Sequence, residues 1–109
     1  MANKKLELVP LYDWGMFTEP RPSVVAGPCS AETEEQVMEA ARGLKKMGIN
    51  VYRAGIWKPR THPGSFEGIG TEGLRWMQRA RKEFGLKIAT EVASERHVME
   101  CIKFGVDLV

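Results

Sequence analysis

The chain has 109 residues, 43% hydrophobic and 28% charged, with a formal net charge of +2. That allows one small domain with a modest core. The slight positive balance, with acids interleaved among the bases, gives no footing for nucleic acid as a partner. No apolar run approaches a membrane span, and Met1 to Pro10 has no signal-peptide pattern. With two cysteines, a reduced, cytoplasmic setting without disulfides or membrane association is expected.

Residues 1–23 read as a polar, proline-dotted arm in which Leu6, Leu8 and Val9 have the makings of a short edge strand. A βα rhythm then begins. Ser23 to Gly27 forms a short apolar strand, followed by a helix with Thr33 as N-cap and Gln36 at the capping-box spacing. Val37, Ala40, Ala41 and Leu44 mark its apolar face, and Gly48 its left-handed end. A second strand runs from Ile49 to about Ile56. A long, proline- and glycine-rich loop leads to a helix over 71–84 with Leu74, Met77, Ala80 and Phe84 on one face and Gly85 at its end. The third strand spans Leu86 to Val92. The third helix starts at Ser94 and buries Val98, Cys101 and Ile102, and a fourth strand opens at Val106. Strands alternating with helices imply a parallel sheet with right-handed crossovers, so the fold class is α/β.

In such folds the C-terminal strand ends face the ligand. Here they carry Gly27-Pro28-Cys29-Ser30, then Arg53 to Thr61, then Thr90-Glu91-Val92. Arg53, Lys58, Arg60 and Thr61 put three fixed positive charges and a hydroxyl within nine residues. A solvated basic loop is the bland reading. Two details favour a pocket for phosphate or carboxylate. Arg53 sits inside the apolar run Val51 to Trp57, and Pro59 stiffens the backbone between Lys58 and Arg60. Cys29 is either a packed small side chain or a metal ligand. Cys101 reads as core, and His62 and His97 as surface residues without paired-ligand spacing. No dinucleotide or Walker-type glycine motif appears.

The stretch Val25-Ala26-Gly27-Pro28-Cys29-Ser30-Ala31-Glu32, followed by Arg53-Ala54-Gly55-Ile56-Trp57-Lys58-Pro59-Arg60-Thr61, resembles the 3-deoxy-D-arabino-heptulosonate 7-phosphate (DAHP) synthases. Pro63 to Gly68 and Thr90-Glu91-Val92 resemble the shorter microbial branch, some members of which are fused to a chorismate mutase domain. The resemblance covers about residues 11 to 109. It implies a (βα)8 barrel, of which residues 24–109 would be about the first half, cut in strand 4, with four strands and three helices.

The implied reaction condenses phosphoenolpyruvate with erythrose 4-phosphate, the entry to aromatic amino acid biosynthesis. The resemblance makes Cys29 one ligand of a divalent metal (manganese, iron, cobalt or zinc). It places Arg53 and Lys58 on phosphoenolpyruvate, with Lys58 also assisting proton transfer, and Arg60 and Thr61 on the phosphate of erythrose 4-phosphate. Glu91 becomes a polar group near phosphoenolpyruvate. A homo-oligomer is expected of the intact enzyme, and the 109 residues alone are expected to be inactive. Two alternatives stand beside this reading. One is the sister enzyme that makes 3-deoxy-octulosonate 8-phosphate from arabinose 5-phosphate, against which Pro59 and Arg60 weigh. The other is a non-catalytic anion-binding βα module.

Overall fold

The structure, a computed structural model, describes residues 6–17, 23–58, 64 and 68–109. Three short parallel strands, β1 (Val25–Ala26), β2 (Val51–Arg53) and β3 (Lys87–Ala89), form one sheet in that order. Helix α1 (Glu34–Lys46) connects β1 to β2, and α2 (Thr71–Phe84) connects β2 to β3. After β3 comes α3 (Glu95–Lys103), and then a single parallel bridge, Ala89 to Leu108, where the fourth strand was expected. The α/β class with parallel strands stands. The strands are shorter than the apolar runs, although backbone bonding continues beyond them: Gly55 N–H donates to Cys29 O at 3.2 Å and Ala31 N–H to Gly55 O at 2.9 Å.

The helix limits follow local chemistry. Thr33 accepts from Gln36 N–H at 3.1 Å, and Gln36 Oε1 accepts from the Glu32 N–H at 2.7 Å, which closes the start of α1. Helix α2 stops at Gly85, in the left-handed region at φ 66°. Ser94 caps α3 through the N–H of His97 at 3.2 Å. Among the described residues no helix is long and apolar enough to cross a membrane.

Alternation along the strands divides the core in two. Tyr52 and Ile88 face the helices and are fully buried with Val37, Ala41, Leu74, Met77 and Ala80. Each large apolar side chain there contributes roughly 1.5–3 kcal/mol. Tyr52 also donates its hydroxyl to Val37 O at 3.0 Å, tying β2 to α1. On the opposite face Val51 and Ala89 are covered by Met16 and Phe17, with Leu108 alongside. The end of the arm, read as polar from the sequence, thus places two apolar side chains against the sheet.

Two expectations fail here. Leu6, Leu8 and Val9 form no strand and are 83%, 81% and 63% exposed; no strand of the described sheet pairs with them. In α3, Cys101 is buried and Val98 half-buried, but Ile102 is 69% exposed. Its position one residue past Cys101 turns it away from α2 and the sheet, so helical spacing alone misplaced it.

Candidate functional site

Three loops at the C-terminal strand ends meet. The β1 loop is held from below by α1: Gln36, the capping-box residue, donates from Nε2 to Ser30 O at 3.0 Å. This fixes the backbone on which Cys29 stands exposed. From the end of β2, the Arg53 guanidinium donates from Nη1 to Pro28 O at 3.3 Å and to Cys29 O at 3.4 Å. Its Nη2 pairs with the carboxylate of Glu91 beyond β3. Arg53 is half-buried, its side chain 26% exposed, while that of Glu91 is 60% exposed. A charge in an apolar strand is thus explained by its partners: it bridges the first loop to the third.

Lys58 completes the cluster. Its Nζ lies 3.3 Å from Cys29 Sγ. The hydrogen bond from Lys58, then its positive charge, and more weakly the charge of Arg53, hold the Cys29 thiol below its ordinary pKa against a smaller opposing effect of desolvation. Cys101, by contrast, is pushed up by burial and by the charge of Glu100, as expected of a core thiol. Gly55 makes the Lys58–Cys29 approach possible. A Cβ there would stand 2.4 Å from Cys29 O and 2.6 and 2.7 Å from Lys58 Cε and Nζ. Behind the mouth, the buried Thr90 hydroxyl donates to Ala54 O at 2.8 Å, joining the ends of β2 and β3.

The structure therefore brings together Cys29, Arg53, Lys58 and Glu91. Arg60 and Thr61, with His62, lie outside the described residues. Among the described residues no three His, Cys, Asp or Glu side chains form a metal-ligand set. Cys29 offers a single exposed, readily ionised sulfur donor, which suits one ligand of a divalent ion and does not by itself make a centre. Sequence reasoning missed Gln36 as a support of the Cys29 loop and Gly55 as the gap for Lys58. It also misread His97, which is half-buried and stacked on Trp57. The capping-box spacing could have pointed to Gln36; nothing in the sequence pairs residues 57 and 97.

Residues 17–106 match the DAHP synthetase I family. A phospho-2-dehydro-3-deoxyheptonate aldolase of Thermotoga maritima is 42% identical over 81 residues, covering 74% of this chain and 22% of the relative. A 2-dehydro-3-deoxyphosphooctonate aldolase of Vesicomyosocius okutanii is 37% identical over 84 residues, covering 71% of this chain and 30% of the relative. The crystal structure of the Thermotoga maritima phospho-2-dehydro-3-deoxyheptonate aldolase (DAHP synthase) superposes with a TM-score of 0.69 at 39% identity, over 73% of this chain and 23% of that one. The chain thus spans 22% and 30% of the length of these two curated relatives.

Proposed function

The chain belongs to the DAHP synthetase I family, and from that premise we propose that it carries the phosphoenolpyruvate side of a 3-deoxy-7-phosphoheptulonate synthase. The observation that carries the reading is the junction of Lys58, Cys29 and Arg53 at adjacent parallel strand ends. Phosphoenolpyruvate bears a carboxylate and a phosphate close together. Arg53 offers a planar two-pronged donor and Lys58 a compact ammonium, a pairing suited to hold both groups. Glu91, now on Arg53, is the group that an incoming anion displaces.

The reaction joins the enol carbon of phosphoenolpyruvate to the aldehyde carbon of erythrose 4-phosphate. Water adds at the phosphate-bearing carbon, and the C–O bond to phosphate breaks. In this reading Lys58 gives a proton to the aldehyde oxygen as it becomes an alkoxide. Arg60 and Thr61 take the phosphate of the sugar in this reading. Cys29 would serve as one ligand of a divalent metal, which would supply Lewis-acid polarisation of the aldehyde.

The test is a chimera in which this chain replaces the matching segment of the Thermotoga maritima relative, assayed for phosphate release. Turnover with erythrose 4-phosphate that is lost in Lys58→Ala is the expected result. Several relatives carry the octulosonate name. Turnover with arabinose 5-phosphate instead would give the chain that activity. Phosphoenolpyruvate binding without turnover of either sugar would make it an anion-binding module.

A further inference from the structure

Trp57, the residue before Lys58, lies face to face with His97: the ring centroids are 4.0 Å apart and the planes differ by 6°. His97 comes from the first turn of α3, in the following βα unit. It is fixed in its own right. Its Nδ1 accepts from the Ala93 N–H at 3.0 Å, and its backbone N–H donates to Ser94 Oγ at 3.2 Å. Trp57 is 8% exposed, and its Nε1–H has no acceptor among the described residues. The indole is therefore located by its face and not by its polar tip.

The backbone on either side of Trp57 is clamped as well. The Gly70 N–H donates to Ile56 O at 3.0 Å. A Cβ at Gly68 would stand 2.2 Å from Ile56 O and 2.9 Å from Lys58 N, so only a glycine lets the chain pass that close. Residues 56–58 are pinched between this glycine turn and the stacked imidazole.

We propose that His97 is a positioning residue for Lys58. By stacking on Trp57 it fixes the base from which Lys58 reaches Cys29, and, resting on the functional reading above, the base from which Lys58 reaches phosphoenolpyruvate. Small displacements of a substrate-orienting group are costly, and a stacked pair is the kind of contact that prevents them.

Two variants separate the ring from its hydrogen bond. His97→Phe keeps a flat ring and loses the Nδ1 acceptor; His97→Asn keeps an acceptor near that place and loses the ring. On the 109-residue chain they are compared with the wild type and Lys58→Ala by iodoacetamide alkylation of Cys29 at fixed pH. Acrylamide quenching of Trp57, in a Trp14→Phe, Trp76→Phe background, and calorimetric binding of phosphoenolpyruvate complete the set. In His97→Asn the indole becomes accessible to acrylamide, and alkylation drops most of the way to the Lys58→Ala rate. Phosphoenolpyruvate binding weakens about tenfold, near the upper end of what one ring pair is worth. His97→Phe stays close to wild type in all three. Should His97→Asn not fold by thermal melting, His97→Gln carries the same expectations. Alkylation at the wild-type rate in the ring-less variant overturns the proposal, as does His97→Phe falling as far as His97→Asn. Undiminished phosphoenolpyruvate binding in Lys58→Ala overturns the functional reading instead, and the alkylation arm still decides the positioning role.

Discussion

Lys58 Nζ and Cys29 Sγ stand 3.3 Å apart, so the ammonium of one strand-end loop lies against the thiol of another. The lysine is the main reason that the thiol is held below its ordinary value, with Arg53 contributing less. Lys58→Ala removes that stabilisation of the thiolate, and the Cys29 midpoint rises toward the value of a free cysteine, about 8.5. Iodoacetamide reactivity followed against pH reads this directly. The wild-type rate persists to lower pH than that of Lys58→Ala, while buried Cys101 stays unreactive in the folded chain. Superimposable profiles would mean that the lysine does not face the sulfur.

Gly55→Ala places a methyl where Cys29 O and the end of Lys58 already are. The backbone pairing of Gly55 with Cys29 and Ala31 leaves the strand little room to retreat. Denaturant unfolding is expected to show a loss of about 1–3 kcal/mol, and Cys29 alkylation to slow as in Lys58→Ala. A variant as stable and as reactive as the wild type would contradict the packing described.

Tyr52 is fully buried, and burial pushes its phenol up to about 12. Its folded pKa lies above the unfolded value of about 10, so its contribution to stability is complete below pH 10 or so. That contribution is lost as pH rises through the folded value. Tyr52→Phe deletes the bond to Val37 O, costs about 0.5–1.5 kcal/mol at neutral pH, and flattens the alkaline arm of the stability curve. Urea midpoints of both chains at neutral and alkaline pH test the two effects together.

Glu91→Gln removes the partner of Arg53 on the open side of the mouth. Because the Glu91 carboxylate is largely in water, the pair is worth no more than about 1 kcal/mol, and the melting temperature barely moves. Arg53 is then less screened, so phosphoenolpyruvate binds at least as tightly as to the wild type by calorimetry. A sharp fall in affinity would give Glu91 a direct role in holding the ligand.

The 109-residue chain on its own is expected to release no phosphate from phosphoenolpyruvate, erythrose 4-phosphate and manganese above a Lys58→Ala control. It spans 22% of the Thermotoga maritima relative, and among its described residues Cys29 does not stand in a set of three His, Cys, Asp or Glu side chains. An anion pocket assembled in part loses orientation as well as charge. Turnover that depends on Lys58 would refute this.

How far the sequence could be read depended on whether a feature was local. The limits of α1, α2 and α3 were legible because Thr33 with Gln36, Gly85, and Ser94 act within a few residues of chain. The meeting of Cys29, Arg53, Lys58 and Glu91 was legible at one remove, since parallel strands put all their C-terminal ends on one side. Contacts set by packing between units were not. Among the described residues, Ile102 has helical spacing but no facing partner, and Leu6, Leu8 and Val9 have strand-forming side chains but no neighbouring strand. Trp57 and His97 meet only because α3 returns alongside the second loop, which no spacing encodes.

The bonds between Gly55, Cys29 and Ala31 extend the sheet's own hydrogen-bond ladder right up to the cationic rim. Lys58 is therefore mounted on the framework, and on the function proposed above Arg60 and Thr61, assigned to the sugar, follow it in sequence. If that function holds, exchanging residues 59–67 between the two kinds of aldolase is expected to change the choice of acceptor and to leave the hold on the enol-bearing partner as it was.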